Sequence, residues 1–159
     1  MKPARTAPIP FDPDAEMLTA AFAVGDGASA TAASEVVTGA DFYDRTLGRI
    51  FDTAVQLSAV RGTDRRIRAV AQATGVRAGE LGRMCDNRPA IRDLSARRAW
   101  LVRATARRRR LMAQAAELHN DAALADPTQL RRLASSIAAE ADALSADSDA
   151  RRAQTGAGG

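Results

Sequence analysis

The sequence predicts an all-α protein: a helical-bundle head followed by a long antiparallel helical hairpin. Three observations carry that prediction. Apolar residues make up 46% of the 159 positions, yet aromatics make up only 4%. A core built from Leu, Val, Ile and abundant Ala suits close-packed helices better than sheets. Valine and isoleucine never gather into a strand-like run, and no strict apolar/polar alternation occurs. Between Pro, Gly and Asp punctuation, apolar residues instead recur at helical spacing.

Taken in order, residues 1–11 hold three prolines and are predicted to be a disordered arm. Asp12-Pro13 then signals a helix start, an N-cap acceptor followed by proline at the first helical position. Asp14 and Glu16 suit the positive end of that helix. It is expected to run to about Val24 with Ala15, Leu18 and Phe22 inward, and to break at Gly25-Asp26-Gly27. A short helix near 29–38 should end on Gly39 as a C-cap. Asp41-Phe42-Tyr43-Asp44 opens the next helix, in which Leu47, Ile50, Phe51, Ala54, Leu57 and Ser58 share a face and Gly62 is the stop. Asp64 is expected to cap a helix holding Ile67, Val70 and Ala71 that stops at Thr74-Gly75. A further short helix holds Leu81 and Met84, and Pro89 closes the region. These elements form a head over residues 12–96.

A long helix is expected from about Ala90 to about Ala122, its inner face Leu111, Met112, Ala115 and Leu118. Asp126-Pro127 repeats the cap-and-proline start. The last helix shows Leu130, Leu133, Ile137, Ala141 and Leu144 at near-heptad spacing. Two long helices joined by about four residues form an antiparallel hairpin, placed at residues 97–146. The small, polar, Gly-rich residues 147–159 are expected to be a disordered tail.

Charge is distributed unevenly. Residues 1–60 carry a net −4, residues 61–110 a net +11 and residues 111–159 a net −3. A basic centre between acidic ends can attract nucleic acid or pair with an acidic flank. The run Arg107 to Arg110 turns through about 400° on a helix, so its members point all round. At least one is expected to lay its stem along apolar surface.

The chemistry that can be set aside is extensive. Basic residues comprise 22 arginines and one lysine, Lys2. Lys2 follows no glycine loop, so the sequence holds no Walker A motif and no Schiff-base or kinase lysine. His119, the sole histidine, has no second His or Cys at ligand spacing, which argues against zinc. It reads as a surface or hairpin-interface residue. Cys85, the only cysteine, reads as a small buried apolar residue and excludes an internal disulfide. The expectation is a protein that is not an enzyme and takes no cofactor. No apolar run nears the roughly 20 residues of a membrane span and no signal segment stands at the start; a cytoplasmic location without membrane attachment is expected.

Two motif patterns remain. Ile9-Pro10-Phe11-Asp12-Pro13-Asp14-Ala15-Glu16, followed by Leu18, Ala21 and Phe22, resembles the opening of the N-terminal domain of DnaB-type replicative helicases. Asp41-Phe42-Tyr43-Asp44, then Ile50-Phe51 and Ala54, is similar to that family's DFYD…IF stretch. Val102-Arg103 and Arg109-Arg110-Leu111-Met112 resemble the start of its helical hairpin, and Asp126 to Leu144 its second arm. The counterpart of the family's GG.YL segment, Gly79 to Met84, is loose and shortened, and Trp100 is offset from the expected tyrosine. The resemblance implies a collar-like DNA-replication module without the motor. It implies self-association through Leu111, Leu118, Leu130, Leu133, Ile137 and Leu144, and contact with a helicase, primase or loader protein.

The second pattern is Val70-Ala71-Gln72-Ala73-Thr74-Gly75-Val76 with Leu81, Arg83 and Met84. It resembles the helix-turn-helix of LacI-type repressors. That reading implies a small DNA-binding regulator using residues 66–88, with Arg77, Arg83 and Arg88 facing a groove or phosphates. Glu80 and Asp86 oppose such contacts. Arg107 and Arg108 complete the candidate nucleic-acid residues.

Overall fold

The computed structural model describes residues 9–89, 93–121 and 126–156; side chains at 93–96, 121, 151 and 154–156 fall outside that description. The expected arm at residues 1–8, the interhelical link at 122–125 and the last three residues lie outside it as well. Seven α-helices and one 3-10 turn are present, with no strand among the described residues, as the composition predicts. They are α1 (Pro13–Gly25), α2 (Gly27–Ser34), the turn Gly39–Asp41, α3 (Arg45–Gln56), α4 (Thr63–Thr74), α5 (Ala78–Asp86), α6 (Asp93–Asp121) and α7 (Pro127–Gly156). The chain divides into two compact units, residues 12–104 and residues 1–11 together with 105–159.

In the first unit, the head, α1 is the axis. Asp12 accepts from Ala15 N at 2.9 Å and Pro13 occupies the first turn, so the helix starts where the sequence places it. Alanines at 15, 20, 21 and 23 are fully buried. With so little side-chain bulk, α2, α3, α4 and α5 all pack against α1, which accordingly is buried nearly all round. Leu18 stays half-buried while Phe22 is buried. The remaining core comes from Val37, Phe42, Ile50, Phe51, Val70 and Leu81, joined by Ala99 and Val102 from the start of α6. Phe42 and Phe51 stack with ring centroids 5.2 Å apart.

Several boundaries differ from the sequence expectation. α2 ends at Ser34, and Gly39 lies in the 3-10 turn rather than capping a helix. That turn is held by Asp52 of α3, which accepts from Gly39 N at 2.7 Å. A Cβ added at Gly48 would collide with the Gly39 carbonyl oxygen, so the close approach of α3 to this turn requires glycine. α3 begins at Arg45, capped by Asp44 accepting from Thr46 N and Leu47 N. Asp41 to Asp44 therefore precede the helix. α3 ends at Gln56, ahead of Gly62, whose φ of +87° makes it the N-cap of α4 in place of Asp64. Gly75, with φ +74°, closes α4 as expected.

In the second unit, α7 runs to Gly156, ten residues past the expected hairpin end; positions 147–156 are helical rather than a disordered tail. Arg107 meets Asp147 at 2.9 Å, Arg110 Nε donates to Glu140 at 3.2 Å, and Gln114 donates to Ser136 at 2.9 Å. As the α6 number rises the α7 number falls, so the two helices pair antiparallel. The N-terminal segment joins this unit through Arg109, whose Nη1 donates to Pro10 O at 3.0 Å.

Candidate interaction surfaces

Glu16 belongs to the first turn of α1, where its charge suits the helix dipole. The structure assigns it more. The side chain is fully buried, and its two carboxylate oxygens accept from the backbone N–H groups of Tyr43 at 2.7 Å and Asp44 at 3.0 Å. These charge-assisted bonds anchor the segment between the 3-10 turn and α3 onto α1. Two of the stretches quoted for the helicase-domain resemblance thus meet through one side chain.

Arg66 is the second buried charge. It is 2% exposed, and its guanidinium donates to the carbonyls of Ala23 and Val24 at the end of α1 and of Ala54 and Leu57 at the end of α3. Helix ends leave such carbonyls without intrahelical partners, and Leu57 O accepts from Val60 N as well. Burial lowers the Arg66 pKa, opposed by Asp26 and Cys85. The sequence counted Arg66 within the basic centre, although it lies inside the head.

With α1 and α3 fixed, a groove of about 800 Å³ opens between the start of α1, the start of α3 and α5. Met17, Leu47, Ile50, Val76, Leu81 and Met84 supply apolar lining, while Asp44, Arg77, Glu80, Arg83 and Asn87 add polar groups. Such a surface can bury one face of an amphipathic helix.

The segment resembling a helix-turn-helix is two helices, α4 and α5, joined by Gly75-Val76-Arg77. Leu81 is buried and Val76 packs against the core, as the motif requires. Arg77 and Arg83 are exposed, but so are Glu80 and Asp86, which leaves the face of α5 electrically balanced. Arg88, expected to face a groove or phosphates, is half-buried with its guanidinium against Gly25.

In the antiparallel pair, the α7 positions held back from solvent include Leu130, Leu133, Ile137, Glu140, Leu144 and Asp147, spaced three and four apart. On α6 they are Arg107, Leu111, Gln114 and Leu118. Met112 and Ala115, expected on this inner face, are exposed, as is Ala141. The six residues named for self-association thus share the α6–α7 seam and are only half-buried there. Polar rungs alternate with them, leaving Gln114 Oε1 and Glu140 Oε2 buried without a hydrogen-bond partner. The arginine run resolves as its geometry demands: Arg107 lies in the seam, Arg109 and Arg110 have the partners given above, and Arg108 is exposed.

His119 is exposed in the last turn of α6. Cys85 is buried, its Sγ 3.7 Å from Ala21 O, and burial raises its pKa. Among the described residues no group of three His, Cys, Asp or Glu side chains could hold a metal ion, and no helix is long and apolar enough to cross a membrane. No protein-family model matches the chain, and a search of curated proteins finds no match.

Proposed function

We propose that this chain is a non-catalytic DNA-replication interaction module resembling the N-terminal collar domain of DnaB-type helicases. It self-associates through its two-helix unit and engages a helicase, primase or loader protein. The observation that carries this reading is the α6–α7 seam: its leucines remain half-exposed along a two-helix layer. A second copy laid across that layer in a two-fold arrangement would cover the same leucines on both partners. The Glu16 contact with Tyr43 and Asp44 supports the resemblance, because it joins the opening stretch to the DFYD stretch, the most specific of its pieces.

Light scattering at high protein concentration tests the reading. A dimer or larger species is the expected result, and Leu133→Asp with Ile137→Asp should return it to monomer while hydrogen exchange in α1 and α3 stays as protected as before. A strictly monomeric wild-type protein overturns it. The second reading, a DNA-binding regulator using residues 66–88, is favoured by the three-residue turn and the buried Leu81. The balanced charge on α5 ranks it lower. It requires sequence-selective duplex binding that is lost in Arg77→Ala with Arg83→Ala.

A further inference from the structure

We infer that the outward face of α4, with Arg61 in the segment leading into it, is a nucleic-acid phosphate-binding surface whose contacts are Arg61, Arg65 and Arg68. Arg65, Arg68 and Gln72 recur three and four residues apart on α4, which on a helix is a single face, and Arg61 stands in the segment just before the Gly62 N-cap. All four are exposed, while Arg66, Val70 and Thr74 occupy the buried side. Arg61, Gly62, Thr63, Asp64, Arg65 and Arg68 line an open concavity of about 500 Å³.

These arginines differ from Arg66, Arg107, Arg109 and Arg110 in how their charge is used. Arg66 is spent on four carbonyls, Arg107 and Arg110 on carboxylates, and Arg109 on Pro10 O. Among the described residues, Arg61, Arg65 and Arg68 have no carboxylate within ion-pair distance. Arg68 Nε donates instead to the Asp64 backbone oxygen at 3.3 Å. With Asp64 the only acid in the lining, the concavity keeps a net charge of +2.

The lining also indicates which polyanion fits. It contains no aliphatic or aromatic side chain, whereas protein interfaces concentrate their energy in buried apolar and aromatic anchors. Phosphate backbones need only fixed positive charge and donors, and guanidinium supplies both in a fork that matches phosphate oxygens. Phosphate contacts carry no sequence information, so a contact of this kind is indifferent to sequence. This surface and the α6–α7 seam share no residue, and a monomeric wild-type protein would leave the inference standing.

The test is fluorescence anisotropy with a labelled single-stranded oligonucleotide and its duplex, titrated from about 50 to 200 mM salt. Wild-type protein should bind with a salt-dependent affinity that scrambling the sequence does not change. Arg61→Ala, Arg65→Ala and Arg68→Ala together should weaken binding at least tenfold at low salt. They should also flatten the log–log salt slope by about 2 to 3, one phosphate contact per arginine. Arg77→Ala with Arg83→Ala should bind as wild type. The inference is overturned if wild type binds neither probe at low salt, if the triple variant binds unchanged, or if the α5 variant removes binding. Polyglutamate competing as well as DNA at equal charge also overturns it. All three positions are exposed, and an unchanged thermal melt confirms that the triple variant folds.

Discussion

Leu81 and Leu133 are both leucines on amphipathic helices, yet Leu81 is 1% exposed and Leu133 stays half-buried. The difference belongs to their units. In the head, alanines let five helices converge on one axis, and the two charges inside, Glu16 and Arg66, are each matched to backbone groups. In the α6–α7 unit, two helices share one seam, and charges enter it as ion pairs between side chains. The head holds itself closed with contacts between residues far apart in sequence. The seam has one layer on each side and leaves its apolar residues partly in water.

Substitutions can probe that contrast, beginning with the most damaging. Arg66→Ala strands the carbonyls of Ala23, Val24 and Ala54 at two helix ends, and is expected to cost the head about 3–5 kcal/mol, read as a loss of urea midpoint. Retention of the wild-type midpoint would mean that water replaces the guanidinium and the head is not clamped at all. Next comes the leucine pair. Leu81→Ala should cost about 2–5 kcal/mol, in the range of buried leucines, and Leu133→Ala about 1 kcal/mol, because little of its surface is removed from water. Equal losses at the two positions would erase the distinction between the units.

A smaller effect is expected for Glu16→Gln. The amide keeps one acceptor oxygen and turns an NH2 toward a backbone N–H, so about 1–3 kcal/mol is lost. Hydrogen exchange should localise the loss to Tyr43 and Asp44. The smallest effect involves Cys85. Its folded pKa is raised by burial, so the unfolded thiol, with a pKa of about 8.5, ionises first. Stability from this group is complete below that pH and falls as pH rises through it and toward the folded value. Cys85→Ser should remove that alkaline decline, measured as melting temperature against pH, while the acid side stays unchanged.

Capping chemistry was readable wherever it was local. Asp12-Pro13, Thr74-Gly75 and Asp126-Pro127 each announced a boundary the structure keeps, because the cap bonds reach only two or three residues. Gly39 and Gly62 misled for a related reason: a glycine marks a break without saying which neighbour it serves. The tail was misread because Ser, Asp and Gly near its end mask the alanines and arginines before them, and because the Arg107–Asp147 contact spans 40 positions. Glu16 and Arg66 were legible only as charges. Their partners are backbone groups 9 to 43 residues away, and no residue pattern advertises a carbonyl or an N–H. The Arg61, Arg65 and Arg68 stripe lay in plain view within the basic centre. It could be separated from its neighbours only once Arg66 was seen to face inward and Arg88 to lie against Gly25.

The Arg66 contact also sets a schedule for synthesis. It joins Val24 to a residue 42 positions later. At about 5–20 residues per second on the ribosome, the end of α1 waits roughly 2–8 s for its clamp to be made. For most of that interval a segment whose alanine-rich surface faces inward on nearly every side in the finished head has neither α3 nor α4 to shelter it. Nascent α1 is therefore the stretch on which a ribosome-associated chaperone would act first, and slowing translation between residues 24 and 66 would lengthen that exposure.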